Sequence, residues 1–421
     1  MMTEEILTRL LGGEPVSGQT LSEELGVTRA AVWKQIGQLR EAGFDIEACG
    51  GQGYRLASVP DSLMAPVIAR GLKTRWAGRR IVYLRSVDST NRYARALAAD
   101  GAAQGTLVVA DEQTAGRGRR GRGWVSPAGE GIFMTLILRP QAHPSHVARL
   151  SLQTALAVAR AIARVCEVDA RIKWPNDIVC GGKKVCGMLL EMNADEQSVH
   201  DVVAGIGINV HQTAFEGEIA KTASSLDLLT GRRICRADVV RAFLEEYEAV
   251  DELAQQGGEA LMAVYCRHSA TLGQRVQVIS ATGSFTGTAK AVTDSGSLIV
   301  LDDDGREREV LAADVSVRGL MGYAGDAGDR RGSVRRQPNR ARDSEGAFSE
   351  SGVHRGGARV SARPGQGRGG ERRGHVRGEG GRRQGAGHGL RTGNHARTDR
   401  GHARGQRAAR RAADRRGAGA A

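Results

Sequence analysis

TLVVADEQTAGRGRRGRGWVSPAGEGIFMTLIL, residues 106–138, places a run of arginine and glycine between two apolar segments. The flanking segments, Thr106–Ala115 and Gly131–Leu138, have the apolar and β-branched composition that predicts two buried strands. Glycines in the intervening run, residues 116–123, let backbone N–H groups approach an anion, and each arginine offers a planar pair of donors to phosphate or carboxylate. Arginine–glycine runs also occur in disordered RNA-binding segments, but the position between two strands favours an ordered or orderable phosphate-binding loop.

The net charge of +13 is distributed unevenly along the 421 residues, a length that allows several domains. Residues 321–421 contain 24 arginines, no lysine and nine acidic residues, which gives them a net charge of +15. Residues 1–320 therefore carry a net charge of −2. The basic pI belongs to the C-terminal segment, so the composition of the rest does not by itself indicate a nucleic-acid-binding protein.

The cysteines and the N-terminus indicate the cellular compartment. The cysteines, at positions 49, 166, 180, 186, 235 and 266, form neither a CxxC pair nor a regular framework, which is typical of reduced thiols in a cytosolic protein. The N-terminal MMTEEILTRLL has acidic residues where a signal peptide needs positive charge, and no apolar run approaches the ~18 residues of a membrane span. We therefore expect a cytoplasmic protein without a membrane partner, a zinc site or another metal-ligand cluster.

Residues 1–61 are predicted to form a winged helix-turn-helix domain. Residues 17–43 contain two helical patterns that meet at Gly26, and Phe44–Leu56 follows as two short strands around glycines. An ordinary three-helix packing module is the alternative. A single such module binds DNA weakly, so specific binding is expected to require a dimer. DNA binding is favoured because four residues that the core does not need suit contacts with phosphates and base edges: Thr28, Arg29, Lys34 and Gln35.

Residues 62–270 are predicted to form a mixed α/β catalytic domain, which makes the whole an α+β protein. Arg80–Thr90 predicts a strand that leads into a helix, Ala148–Val165 a long helix, and Asp201–Val210 a buried strand broken by glycines. The sequence has neither a GxxxxGK[ST] loop nor a strand-linked GxGxxG with a matching acid. P-loop and Rossmann nucleotide sites are therefore disfavoured.

Four motifs follow one another along the chain: DSTN (88–91), the arginine–glycine run, IKWPND with IVCGGKKVCGMLLE (172–191), and GIGINV (205–210). Their order and spacing resemble the catalytic signature of the biotin–protein ligases. With the N-terminal region included, residues 1–320 resemble the bifunctional form of that family, which is both a biotin ligase and the repressor of the biotin operon.

This resemblance implies two activities. The first is an ATP-dependent enzyme, with Mg²⁺ accompanying ATP, that makes biotinyl-5′-AMP and transfers biotin to a lysine of a biotin carboxyl carrier protein domain. The second is a biotin-responsive repressor that binds operator DNA as a homodimer when the adenylate is bound. Because like charges repel and glycines add chain entropy, residues 116–123 are expected to be disordered until the adenylate neutralises them, and this ordering would favour the dimer.

The catalytic group implied by the resemblance is Lys184, Arg119 and Asp177. Joining the biotin carboxylate to ATP brings two anions together, so positive charge is required where they meet. The register lysine–apolar–small–glycine selects Lys184 rather than Lys183, which strand alternation turns to the opposite face. Two exposed hairpin lysines are the alternative. Asp177 is expected near the incoming lysine amine, and its roles as base and as orienting acceptor both stay open.

The resemblance also implies a set of ligand-binding residues. Trp124 would stack on adenine, and Gln113 with the DSTN turn would contact biotin. Helix capping, turn formation and core packing are the alternative roles for these residues. The full set predicted to bind biotin or the adenylate is Ser89, Thr90, Asn91, Gln113, Gly116, Arg117, Gly118, Arg119, Arg120, Arg122, Trp124, Asn176, Lys184 and Asn209.

Residues 271–320 contain short alternating strands separated by glycine-containing turns, which predicts a small SH3-like β-barrel. The resemblance extends to its closing Ser316–Arg318, with either a role in ATP and carrier binding or a purely structural one. Residues 321–421 have no apolar periodicity, so we expect a low-complexity arginine- and glycine-rich tail that is disordered. Out-of-frame or read-through translation of GC-rich DNA is preferred over a basic arm that binds nucleic acid without specificity.

Two other functions stay open on the sequence alone. A lipoate– or octanoate–protein ligase has a related fold, and the preference for biotin rests on the resemblance. A non-catalytic biotin-sensing repressor belongs to a different functional class. The intact set of Arg117, Arg119, Lys184 and Asp177 favours the enzyme over the sensor.

Overall fold

The computed structural model describes residues 2–140, 147–280, 283–312 and 316–319. It has the α+β architecture that the sequence predicts, with an N-terminal helical domain, a central mixed sheet flanked by helices, and a C-terminal β-domain. The predicted tail, residues 321–421, lies outside the described residues. No helix in the described part of the chain is both long and apolar enough to span a membrane.

The N-terminal domain is a helix-turn-helix followed by an antiparallel hairpin. Its elements are α1 (Met2–Leu10), α2 (Gly18–Leu25), α3 (Arg29–Glu41), β1 (Asp45–Cys49) and β2 (Gly53–Ser58). Gly26 ends α2 in the left-handed conformation (φ 63°), which glycine adopts without steric cost. The Oγ1 atom of Thr28 then accepts a hydrogen bond from the backbone N–H of Ala31 (3.2 Å) and caps α3. The predicted helix-turn-helix and its wing are confirmed.

A seven-stranded mixed sheet forms the central domain, in the order β3-β4-β5-β9-β8-β7-β6. Its strands are β3 (Ile81–Leu84), β4 (Leu107–Ala110), β5 (Gly131–Leu138), β6 (Ala170–Lys173), β7 (Asp177–Cys180), β8 (Lys183–Ala194) and β9 (Val199–Asn209). β3 and β4 are parallel, and every other neighbouring pair is antiparallel. The expected break within Asp201–Val210 is wrong: β9 is continuous, because neither Gly205 nor Gly207 has a positive φ.

Helices pack on both faces of this sheet. The helices of this domain are α4 (Ala65–Ala69), α5 (Thr90–Ala99), α6 (Val147–Cys166), α7 (Leu226–Thr230), α8 (Arg236–Gln255) and α9 (Gly258–His268). α6 packs against α8 in the main core, whereas α5 packs on β4, β5 and β9 in a separate cluster that contains Val108, Ile137 and Val203. Strand alternation explains this division. Gly205 and Gly207 continue the face of Val203 without side chains, so the sheet is bare beside the start of α5.

The C-terminal domain is a five-stranded antiparallel sheet in the order β13-β12-β11-β10-β14. Its strands are β10 (Arg275–Ser280), β11 (Gly283–Val292), β12 (Leu298–Asp302), β13 (Glu307–Val310) and β14 (Ser316–Gly319). Gly296 and Gly305 have positive φ values (89° and 79°) in the turns on either side of β12. The predicted small β-domain is confirmed, with Ser316–Arg318 inside β14.

Candidate active site

Three glycines form a side-chain-free surface on one face of the central sheet, which we call the glycine trough: Gly187, Gly205 and Gly207. Gly187 and Gly207 are directly opposite each other in the β8–β9 pair. The indole of Trp124 lies against both, since a Cβ atom at Gly207 would be 2.6 Å from Trp124 Cε2 and one at Gly187 2.8 Å from Trp124 Cζ3. The GIGINV motif is therefore explained by close approach of other groups to the backbone.

The DSTN turn forms one end of the trough. Ser89 is the N-cap of α5 but makes no side-chain capping bond. Gln113 performs that function: its Oε1 accepts hydrogen bonds from the backbone N–H (2.9 Å) and the Oγ1 (3.1 Å) of Thr90. The Nε2 of Gln113 in turn donates to Ser126 Oγ (3.0 Å). Gln113 and the turn thus hold each other, as both the capping and the ligand-binding interpretations allow.

Asn91 links the turn to the sheet. Its Nδ2 donates to the backbone carbonyl of Leu189 (3.1 Å) and to Glu191 Oε2 (2.9 Å), and its Oδ1 accepts from Thr135 Oγ1 (2.8 Å). The other carboxylate oxygen of Glu191 lies 3.5 Å from Arg117 Nη1. The sequence prediction missed Glu191, Thr135 and Ser126. Strand alternation could have found Glu191, which lies on the same face of β8 as Gly187.

The arginine–glycine loop folds back on itself. The N–H of Gly118 donates to the carbonyl of Arg122 (2.7 Å), and the N–H of Trp124 donates to the carbonyl of Gly116 (2.9 Å). A Cβ atom at Gly116 would lie 2.3 Å from the carbonyl oxygen of Trp124, so a side chain there would prevent this closure. Arg120, at the tip, has a left-handed backbone (φ 57°).

The four arginines of the loop differ in their surroundings. Arg117, Arg120 and Arg122 are exposed, whereas Arg119 is half-buried. Burial lowers the pKa of Arg119; the carboxylate of Asp177 opposes this effect, and Arg120 and Arg122 add to it. A guanidinium that has lost solvent and lies among other cations gains more than an exposed one from binding an anion.

Arg119 connects the loop to the KWPND turn and to the C-terminal domain. Its Nη1 donates to Asn176 Oδ1 (2.9 Å), and its Nη2 donates to the backbone carbonyl of Ala312. Asn176 is itself fixed on β8. Its Nδ2 donates to the backbone carbonyl of Met188 (2.9 Å), and its backbone carbonyl accepts from the N–H of Met188 (2.9 Å). Three segments distant in sequence therefore meet at one guanidinium.

The two neighbouring lysines of β8 enter different environments. The Nζ of Lys184 lies 2.7 Å from Asp177 Oδ1, as an ion pair, and 5.3 Å from the ring centroid of Trp124. The Nζ of Lys183 instead donates to the backbone carbonyl of Lys221. Lys184 also borders the trough, since its Nζ would be 3.2 Å from a Cβ atom at Gly187.

Asn209 occupies a supporting position at the end of β9. It is 7% exposed, and its Nδ2 donates to the carbonyl of Ser224 (3.2 Å). The N–H of Ser224 donates to the carbonyl of Lys184 (3.0 Å). The described contacts of Asn209 are with the backbone beside Lys184.

A buried ion network lies just beyond β9. Nδ1 and Nε2 of His211 are each 2.7 Å from a carboxylate oxygen, of Asp227 and Asp61 respectively. Arg236 donates to Asp61 Oδ2 (2.7 Å) and Asp111 Oδ1 (3.1 Å). The network anchors the segment that follows the N-terminal domain to the central domain.

The residues predicted to contact DNA do not all lie on one surface. Arg29 and Lys34 are exposed on α3, and Thr28 caps that helix. The side chain of Gln35 is directed elsewhere, because its Oε1 accepts a hydrogen bond from Thr3 Oγ1 of α1.

Comparison with known proteins gives the same domain order. Residues 3–55 match an HTH domain, residues 83–209 the Biotin/lipoate A/B protein ligase family, and residues 271–318 the biotin protein ligase C-terminal domain. The bifunctional ligase/repressor BirA of Bacillus spizizenii is 38% identical over 309 residues, which cover 73% of this chain and 95% of that protein. The Escherichia coli BirA is 28% identical over 315 residues, or 75% of this chain and 96% of that protein.

A solved structure supports the fold of a little over half of the chain. The biotin protein ligase from Aquifex aeolicus, in complex with biotin and ATP, superposes with a TM-score of 0.51 at 30% identity. The superposition covers 57% of this chain and 99% of that one. With these matches and the site geometry above, the chain belongs to the biotin–protein ligase family, in its bifunctional ligase/repressor form.

Proposed function

We propose that this chain is an ATP-dependent biotin–[biotin carboxyl-carrier protein] ligase that also acts as a biotin-responsive transcriptional repressor. The enzyme makes biotinyl-5′-AMP, releases diphosphate, and transfers biotin to a lysine of the carrier domain. One observation carries the enzymatic part: Lys184, paired with Asp177, borders the glycine trough, and Arg119 is bound to the neighbouring Asn176.

The first step explains the concentration of cations. A carboxylate oxygen of biotin attacks the α-phosphorus of ATP, the P–O bond to the β-phosphate breaks, and diphosphate leaves with the electron pair. Lys184 neutralises the carboxylate and the α-phosphate as they meet, and Arg119 donates to a phosphate oxygen. Asp177 and Asn176 keep these two cations in position. The exposed arginines of the loop neutralise the remaining phosphate charge.

The glycine trough is the site that we assign to biotin, the acid substrate. Biotin binds at the trough, with the polar groups of the DSTN turn and Gln113 at one end, after the indole of Trp124 has moved away from Gly187 and Gly207. Trp124 covers the ligand and stacks on adenine. Mg²⁺ is implied by the ATP chemistry and is assigned to the phosphate oxygens of ATP. No step above depends on a protein-bound metal.

The second step transfers biotin to the carrier. The ε-amine of the carrier lysine attacks the acyl carbon of the adenylate, the C–O bond to the phosphate breaks, and AMP leaves. The attacking amine must lose a proton. Asp177, beside Lys184, either accepts that proton or orients the amine through its lone pairs.

Repression uses the N-terminal domain. Arg29 and Lys34 contact operator DNA, and Thr28 holds the start of α3 in place. Because one module binds weakly, two copies act together as a homodimer that forms when the adenylate neutralises the arginines of residues 116–123. The domains we propose for these cytoplasmic activities are residues 1–61 for DNA binding, 62–270 for catalysis and 271–320 for the C-terminal β-domain.

ATP–diphosphate exchange by the full chain tests the enzymatic part. With Mg²⁺ and either biotin, lipoate or no acid, we expect exchange with biotin alone. Lys184→Ala is expected to lower exchange by about 10²–10³-fold, comparable to the loss of a transition-state charge donor. The matched control is Lys183→Ala, which removes the neighbouring lysine and should leave exchange unchanged. Exchange with lipoate would redirect the assignment, and no exchange with either acid by the folded protein would contradict an enzymatic function.

A further inference from the structure

The outward face of α3 carries a tryptophan that the fold does not need. Trp33 is 68% exposed, although an indole stabilises a protein most when it is packed. The inward positions of the helix, Val32, Ile36 and Leu39, are already buried where α3 packs against α1 and α2. Trp33 therefore contributes little to the stability of the domain.

Gly37, one turn after Trp33, has no structural reason to be glycine. It lies inside α3, where glycine is less favourable than alanine. Its φ is not positive, and a Cβ atom added there would meet no other atom within 4 Å. Ala30, one turn before Trp33, is also small and is exposed. Two small residues thus flank the indole and would let an external surface approach the helix closely.

The same face has the charge that a polyanion requires. Arg29 and Lys34 are exposed, and within α3 the single carboxylate is that of Glu41, the last residue. The N-terminus of α3, with its partial positive charge, lies beside Arg29. A basic helix face with one protruding aromatic between small residues complements the major groove of duplex DNA, which is wide enough to admit an α-helix.

We propose that Trp33 determines sequence specificity by contacting the C5-methyl group of thymine in the major groove, and that Ala30 and Gly37 permit this approach. The inference rests on the DNA-binding part of the proposed function and adds the base that is recognised. In helix-turn-helix proteins the N-terminal residues of the second helix contact base edges, and Trp33 is the fifth residue of α3. The indole is almost wholly apolar, and the thymine methyl is the apolar group that this groove presents.

Replacement of thymine by uracil tests the proposal, since it removes only the methyl group from the groove. Duplexes are selected from a randomised pool by the full chain with biotin and ATP present, and the affinity of a selected duplex is measured with thymine and with uracil. For the wild-type chain we expect about a fourfold loss for each contacted methyl. Trp33→Ala is expected to bind the thymine duplex more weakly and to show no further loss with uracil.

Two variants of the same helix sharpen the result. Lys34→Ala, the matched control, should weaken binding to the thymine and uracil duplexes equally, because a phosphate contact is independent of sequence. Gly37→Ala should raise the Tm by about 2 °C, because alanine favours the helix, and yet weaken DNA binding. That combination separates a binding role of Gly37 from a structural one.

Several outcomes would overturn the inference. One is an equal loss on uracil replacement in the wild type and in Trp33→Ala; another is a Gly37→Ala variant that binds DNA as the wild type does. A wild-type chain that selects duplexes but is indifferent to uracil would leave DNA binding intact and remove Trp33 as a thymine contact. A chain that selects no duplex at all would overturn the DNA-binding function itself, which is a distinguishable result.

Discussion

The glycine trough and the outer face of α3 are both functional surfaces, but they are built in opposite ways. Around the trough the polar side chains bind one another, as Asn91 does with Glu191 and Lys184 with Asp177. On α3 the side chains project into solvent, and Trp33 is 68% exposed. A site that stabilises a reacting anion needs its groups fixed in advance, whereas a surface that recognises a macromolecule is completed by its partner. Changes near the trough should therefore affect folding, and changes on α3 should affect binding.

The largest effect on stability is expected in the ion network beyond β9, which contains Arg236 and His211. Arg236 is 4% exposed and bonded to Asp61 and Asp111. Arg236→Met leaves two half-buried carboxylates without this buried cation, so the free energy of unfolding in urea should fall by about 3 kcal/mol. Arg92→Met, which removes an exposed ion pair with Asp88, is the control and should leave stability nearly unchanged. Equal losses in the two variants would contradict a structural role for the network.

A single methyl group added at Gly205, on the floor of the trough, tests whether the groups around the trough are fixed. In Gly205→Ala the new carbon would lie 2.0 Å from Asn91 Oδ1, and Asn91 is held by Glu191 and Thr135. We expect a loss of about 3 kcal/mol in the free energy of unfolding, together with weaker biotin binding by calorimetry. Gly50→Ala is the control, because its Cβ atom would meet nothing within 4 Å. If both variants were equally stable, the trough would not be rigid.

Acid should weaken the buried network in a defined range of pH. Burial alone would raise the pKa of Asp61, but the hydrogen bond from His211 and the charge of Arg236 outweigh it and lower that pKa to about 2. Because this folded-state pKa lies below the ordinary value of 3.8, the ionised Asp61 stabilises the fold above about pH 4. That contribution, about 2 kcal/mol, is lost as the pH falls towards 2. Urea unfolding across this range should show a shallower pH dependence for Asp61→Asn, and an unchanged dependence would exclude Asp61 as its source.

The smallest effect on stability is expected at Thr28, whose side chain caps the start of α3. Thr28→Ala removes the acceptor for the N–H of Ala31, so the free energy of unfolding should fall by about 1 kcal/mol. Thr28→Ser keeps the acceptor and should restore stability. Trp33→Ala, by contrast, should leave the Tm unchanged. A large loss of stability in Trp33→Ala would show that the α3 face belongs to the fold after all.

Local sequence patterns predict most of the fold because helices and strands each have their own period. β5 occupies the residues expected for it, Gly131–Leu138, and α6 extends the predicted helix by one residue at each end. The cap at Thr28 follows equally from short-range chemistry. The break expected in β9 was wrong because glycine tolerates an extended backbone as well as a turn, and the sequence alone does not distinguish these two uses.

Contacts between distant segments could not be predicted in this way. Arg119 donates to the carbonyl of Ala312, 193 positions later, and Asp61 pairs with His211, 150 positions later. Neither pairing is signalled by a sequence period or a motif, because each depends on how complete domains pack. The alternation of β8 would have placed Glu191 on the same face as Gly187, so that part of the site was accessible from the sequence.

The contact of Trp124 with the trough has a consequence for inhibitor design. The bare backbone at Gly187 and Gly207 accommodates an indole, so the protein already contains a template for a flat, fused two-ring compound. The indole Nε1 is buried with no partner in the described part of the chain, so a ring that takes the place of the indole loses nothing if it has no hydrogen-bond donor at that edge. A compound that joins such a ring to an acyl-phosphate mimic near Lys184 would displace the indole, and tryptophan fluorescence would report its entry directly.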